Sequence, residues 1–222
     1  VENASGVSID GQAFEHVDWT IVRTNVSSGE CQAASFLNTA AVHLRNATGC
    51  SISNVTIEHV GEYGLWLEGG SARNNITGTM VRDSGAGGMR VGTGKPLLDK
   101  PDGSDYNQIV DSTFVQGSHV YHEGNGILVQ KVSHTVVRRC EVAYYSHIGI
   151  SVGWTWDYEP TQANNNLVDA CHVHHMGNGD LSDLAGIYFL GVSPGSAATG
   201  NYIHDSYPNY TSAPGIYTDQ AT

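Results

Sequence analysis

The fold predicted by this sequence is all-β: a single-stranded right-handed parallel β-helix, or solenoid, of about eight coils with loop insertions. Three observations predict it. A Gly-Ile-x-Val-like tetrapeptide recurs along the chain, as in Gly64-Leu-Trp-Leu, Gly126-Ile-Leu-Val and Gly186-Ile-Tyr-Phe. Successive starts at 41, 64 and 88, and at 126 and 149, lie 23 or 24 residues apart, a period that marks stacked repeats. Each repeat holds two or three short runs rich in Val, Ile and Thr, broken by Gly, Asn and Asp, with no sustained helical periodicity. Residues 1–222 read as one β-helix domain.

The tetrapeptides come first in each coil. Aligned, they begin at Gly6, Ala41, Gly64, Gly88, Gly126, Gly149, Gly186 and Gly215. If the Ile and Val positions point inward, strand alternation sends His43, Trp66, Arg90, Leu128, Ser151, Tyr188 and Tyr217 outward as one stripe. Arg45, Glu68, Gly92, Gln130, Gly153, Leu190 and Asp219 form the next outward row. Such a stripe has two readings: a sugar-binding groove in which aromatic faces pack on pyranose C–H surfaces, or aromatics shielded by loops. Further along each coil, a column of inward positions runs Asp18, Asn54, Thr79, Thr113, Cys140, Cys171 and Asn201. A second column runs Thr20, Thr56, Val81, Val115, Val142, Val173 and Ile203. Columns of this kind stack about 4.8 Å apart. Three insertions interrupt the coils: around Gly29 to Leu37, at Gly94 to Tyr106, and at Trp154 to Asn164. Insertions on one face of a solenoid build the walls of binding sites, and the aromatic and acidic loop Trp154-Thr-Trp-Asp-Tyr-Glu-Pro suits a sugar subsite.

Composition excludes several classes. A formal charge of −12 with ten scattered Lys and Arg argues against a nucleic-acid surface and disfavours polyanionic substrates. No apolar run approaches the roughly 18 residues of a membrane span. Cys31, Cys50, Cys140 and Cys171 are too few and too widely spaced for a disulfide scaffold or a metal ribbon, and read as core residues. Six Asn-x-Ser/Thr sequons, at Asn3, Asn25, Asn46, Asn54, Asn75 and Asn209, would matter in a eukaryotic secretory pathway. The chain opens directly in strand-like sequence with no leader, and reads as a piece of a longer or processed protein.

Glycoside hydrolysis needs two carboxyl groups flanking a bond, roughly 5 to 10 Å apart. Asp183 and Asp219 lie on neighbouring coils, but relative to their repeats they differ by seven positions. An extended run of that length spans about 23 Å. The two can meet only if residues 178–184 bend back, which Gly177 and Gly179 permit. Asp157 and Glu159 in the aromatic loop are further carboxylates. Metal-dependent lyase chemistry needs a carboxylate cluster with a basic residue, and Lys95, Lys100 and Lys131 are the only lysines. His172, His174 and His204 share a face on adjacent coils. Hydrogen bonding to neighbouring backbone is the commoner role for stacked imidazoles, so no metal and no cofactor is expected. His122 and Glu123 precede Gly126 much as Asp183 precedes Gly186, and so border the same cleft by position.

Six stretches occur in order along the chain: Phe14-Glu-His-Val-Asp-Trp-Thr, Gly85-Ala-Gly-Gly-Met-Arg-Val-Gly, Val120-Tyr-His-Glu-Gly, Gly149-Ile-Ser-Val-Gly-Trp-Thr-Trp, Leu181-Ser-Asp-Leu-Ala-Gly-Ile-Tyr and Gly215-Ile-Tyr-Thr-Asp. Together they resemble secreted right-handed β-helix proteins of the glycoside hydrolase family 141 type. The resemblance implies a secreted, periplasmic or cell-surface enzyme acting on plant- or algal-type glycans, as α-L-fucosidases and xylanases do, with paired aspartates at Asp183 and Asp219. The family pattern continues Thr-Asp-Glu-Gly where this chain has Gln220-Ala-Thr after Asp219. The expected partner is therefore a carbohydrate, with His122, Glu123, Trp154, Trp156, His174, Tyr188 and Tyr217 as subsite residues. The rival expectations are a non-catalytic glycan-binding solenoid and a polysaccharide lyase or epimerase.

Overall fold

The structure is a computed structural model that describes residues 1–17, 32–35, 37, 39–93, 102–156, 158, 160–210, 212–220 and 222. Asp18, Thr20, Cys31, Lys95, Lys100, Asp157 and Glu159 lie outside the described residues.

The described chain winds through three parallel sheets in turn and climbs one coil per circuit. The first sheet has eight strands: Glu2–Ser5, Ala40–Thr48, Tyr63–Glu68, Met89–Gly92, Ile127–Gln130, Ile150–Gly153, Ile187–Leu190 and Ile216–Asp219. The second and third sheets have seven each, running from Ser8–Asp10 to Ala197–Thr199 and from Ala13–Glu15 to Tyr202–Ser206. Every strand is too short to bury its own apolar face and finds hydrogen-bond partners only in the coils above and below. Eight coils are what the period predicts.

Alternation works in the first sheet as expected. Leu65, Met89, Ile127, Ile150 and Ile187 form an inward column in register, each 0% exposed. Both outward rows also hold their register, Arg90 opposite Leu128, Ser151, Tyr188 and Tyr217 in sequence, and Gly92 opposite Gln130, Gly153, Leu190 and Asp219.

Two expectations need correction. Gly6 does not open a first-sheet strand: its amide bonds to the Thr48 carbonyl at the end of the neighbouring strand, and Ser8 to Asp10 belong to the second sheet. The inward columns also slip by one residue at two coils, and Phe14 holds the first-coil place expected at Thr20. Val81 pairs with Phe114 and Ile57, not with Val115 and Thr56, so the true column is Phe14, Ile57, Val81, Phe114, Val142, Val173 and Ile203. A slip of one residue turns a side chain to the opposite face, and Phe114 is 0% exposed while Thr113 is half-buried.

The groove reading of the outward stripe fails over the central coils. The short turn Gln32–Ala34 and Leu37 fold across that face, where Ala34, Leu37, Tyr63, Trp66 and Tyr121 make a second small core. Arg90, 2% exposed, stacks 4.4 Å over Trp66 and donates from Nη1 to the Leu37 carbonyl at 3.1 Å. Among the described residues, Trp66, Arg90, Leu128 and Ser151 of the stripe are removed from water, whereas His43 and Tyr217 stay partly exposed.

Buried amides seal the corner between the first and second sheets. Oδ1 of Asn107 accepts from the Asn74 backbone N–H at 3.0 Å and from Asn74 Nδ2, while Asn107 Nδ2 donates to the Ser71 and Ser104 carbonyls at 2.9 and 2.8 Å. Each buried partner left unsatisfied costs roughly 1–3 kcal/mol. Asn107→Leu is therefore expected to destabilise the protein by about 3–5 kcal/mol, read as a lower urea midpoint. An unchanged midpoint would mean that the amide is dispensable to the corner. Deeper in the coil, Cys140 and Cys171 stack on adjacent coils, each 1% exposed, and their thiols donate to the Ile109 and Val137 carbonyls at 3.5 and 3.6 Å.

Candidate functional site

The segment between the third-sheet strand His172–Met176 and the first-sheet strand Ile187–Leu190 turns back on itself. Gly177 and Gly179 adopt φ of 100° and 80°, Asn178 42° and Asp183 58°. Glycine takes these values at no steric cost, and Asn and Asp tolerate them better than other side chains. Neighbouring coils hold the bend from both sides: Gly177 N–H donates to the Tyr145 carbonyl at 2.8 Å, Gly179 N–H to Tyr207 at 2.9 Å, and Asn209 N–H to Leu181 at 2.8 Å. Leu184 and Ala185, both 0% exposed, anchor it in the core.

With this bend, Asp183 lies within electrostatic reach of Asp219. Partial burial raises the pKa of Asp183, and the Asp219 carboxylate raises it further. Tyr188, 5% exposed, donates from its hydroxyl to Asp219 Oδ2 at 2.5 Å. Burial, the bond to Asp219 and the two carboxylates drive the Tyr188 phenol far above its usual range, so it stays protonated and keeps a proton to donate to Asp219. Tyr217 meets Tyr188 edge-on at 5.0 Å, and burial followed by the two carboxylates raises its phenol as well.

Asp183 and Tyr188 share a cleft with Gln32, His147, Ile148, Trp154 and Leu190. Trp154, 5% exposed at φ 76°, packs edge-on against Trp156, which is 41% exposed, with ring centroids 5.3 Å apart. The cleft thus has an aromatic wall in Trp154, the Tyr188 hydroxyl and the Asp183 carboxylate, with Asp219 bonded to that hydroxyl from the next coil.

His147 is a wall residue that sequence reasoning missed. Burial lowers its pKa to about 4, against the backbone carbonyls of Asp183 and Glu123, which favour the proton, so the ring is neutral at neutral pH. It lies two residues before Gly149, whereas Glu123 and Asp183 lie three before Gly126 and Gly186, so the repeat carried only an approximate positional signal. Gln32 could not have been found, because only folding brings the turn across the stripe.

The remaining expected residues divide. Glu123 joins the wall through its backbone at His147, whereas His122 is exposed on the preceding turn and is not among the described residues lining the cleft. His174 does not join the group. It sits on the outward face of the third sheet, with its Nε2 3.3 Å from Glu141 Oε1, because the alternation that buries Val173 turns its neighbour away from the first sheet.

The fold and cleft can be set beside known proteins. A solved structure described as a glycoside hydrolase matches 80% of this chain at 26% identity with a TM-score of 0.71, and this chain covers 30% of that one. The alginate lyase from Paenibacillus sp. str. FPU-7 matches 81% of this chain at 15% identity with a TM-score of 0.53, with 67% of its own length covered, a likeness of fold alone. A search of curated proteins finds no match. The model for the right-handed β-helix region matches residues 5–222, nearly the whole length. With three parallel sheets wound in single file and a family model spanning them, this chain belongs to the right-handed β-helix family.

Proposed function

We propose that the protein is a carbohydrate-active enzyme of the glycoside hydrolase class, acting on a neutral or branched plant- or algal-type glycan through Asp183 and Asp219. One observation carries the reading: carboxylates from adjacent coils converge closely enough for one to raise the pKa of the other, with Tyr188 bonded to the second. The resemblance in fold to a glycoside hydrolase at 26% identity supports it. The raised pKa makes Asp183 the readier proton donor, the general acid that protonates the departing glycosidic oxygen. Asp219, oriented by the Tyr188 hydroxyl, acts on the opposite side of the bond, as nucleophile or as base for water. Trp154, Trp156 and Tyr217 supply stacking surfaces, and His147 stays a neutral wall.

Incubating the protein with aryl fucosides, aryl xylosides and xylan, and following products by NMR, tests the reading. Release of new reducing ends supports it. A product absorbing in the ultraviolet would place the protein among lyases, and glycan binding without turnover would make it a binding solenoid. A hydrogen bond to a charged group is worth about 1.5–3 kcal/mol. Tyr188→Phe is thus expected to lower kcat roughly 10–100-fold with little change in KM. An unchanged kcat would remove Tyr188 from the reaction.

A further inference from the structure

Outside the cleft, the outward face of the third sheet gathers imidazoles. Strands His172–Met176 and Tyr202–Ser206 pair with Val173 opposite Ile203 on the inner face and His174 opposite His204 on the outer. Nε2 of His172 lies 2.8 Å from Nε2 of His204. One nitrogen from each of His172, His174 and His204 falls within 4.8 Å of the others. The rings of His174 and His204 are stacked with a 4° interplanar angle.

The surrounding carboxylates set the tautomers. His204 Nδ1 lies 2.7 Å from Asp205 Oδ2, so Nδ1–H donates to the carboxylate and the Nε2 lone pair turns toward His172. His174 Nε2 faces Glu141 Oε1 at 3.3 Å. Carboxylates behind imidazoles orient them and raise their basicity as ligands. His174 is 7% exposed, which places this ligand group in a partly dry setting. Imidazole donors suit zinc, copper and nickel, whereas calcium and magnesium demand oxygen.

We propose that His172, His174 and His204 form a site for a divalent transition-metal ion of the zinc class, with Asp205 as the carboxylate that orients His204. The ion would tie strand Tyr202–Ser206 to strand His172–Met176, a staple between coils with no part in the Asp183 and Asp219 chemistry. The sequence alone left these histidines to hydrogen bonding, because facing ring nitrogens cannot be read from spacing.

Metal-stripped full chain is titrated with Zn²⁺ by calorimetry, and its melting is followed with Zn²⁺ at a hundred times Kd. Saturable 1:1 binding at micromolar Kd or tighter is expected, with a rise in Tm of about 5–10 °C. His172→Gln and His204→Gln should each abolish both effects, and Asp205→Asn should weaken affinity about 10–100-fold while leaving the three ligands in place. Asp205→Asn also serves if a histidine variant fails to fold. Binding weaker than about 100 μM would overturn the proposal. So would binding unaffected by His172→Gln, which would move the ion to the overlapping group of His175, His204 and Asp205.

Discussion

Asp183→Asn is expected to cut glycoside hydrolysis at least about 1,000-fold, the loss of a positioned general acid, while leaving glycan affinity near that of the parent. Asp219→Asn should be equally damaging and should have a second effect. The Asp219 charge contributes to the raised pKa of Asp183, so removing it lowers the Asp183 pKa, which carboxyl-carbon NMR titration reads directly. The stability sign provides a control. A folded-state pKa above the unfolded value gives a contribution that is full below the unfolded pKa and lost as pH rises through the folded one. At neutral pH the ionised Asp183 therefore works against the fold, and Asp183→Asn should melt at the same temperature as the parent or higher. An Asp183→Asn protein that is inactive but also unfolded would say nothing of catalysis, whereas one that is stable and still active would sink the acid role. An unchanged Asp183 titration in Asp219→Asn would show that the two carboxylates are independent.

A large effect on stability is expected at Gly153, which ends the strand Ile150–Gly153 at φ 111°. A Cβ there would lie 2.2 Å from the Leu190 carbonyl oxygen and 3.1 Å from its carbon. That obstacle is backbone and cannot rotate away, and the φ itself is strained for any L side chain. Gly153→Ala is expected to cost about 3–5 kcal/mol and to lower Tm by roughly 10 °C. Leu190 pairs with both Gly153 and Asp219, so the shift also reaches the candidate site, and activity should fall before the fold is lost. Gly179 supplies the comparison: φ is 80°, but nothing lies within 4 Å of its Cβ position. Gly179→Ala should cost only about 1–2 kcal/mol. Calorimetry on the pair separates clash from conformational strain, and equal losses would mean that the contact with Leu190 is relieved without cost.

The sequence by itself determined the period, the inward column from Leu65 to Ile187 and the outward register that pairs Tyr188 with Tyr217. All of these follow from strand alternation, a local property that each coil repeats. Local pattern failed where a coil carried one residue more or less, as at Phe114 and Ile57, since these are flanked by Val115 and Thr56, β-branched residues that fit a strand as well. It also placed Gly6 in the wrong sheet, because Gly-Val-Ser-Ile fits either of two strands. Tertiary structure alone decided the rest. Whether Asp183 reaches Asp219 depends on a bend pinned by Tyr145, Tyr207 and Asn209 from other coils. Whether the outward stripe is open depends on a turn at Gln32–Ala34 that packs with Tyr63, Trp66 and Tyr121, residues far from it in sequence. Separating His174 from the cleft, and setting it instead beside His204, depends on which sheet faces which direction around the coil. Repeats encode stacking through nearest neighbours; the site is made by the departures from the repeat, and contacts between distant segments fix where those departures go.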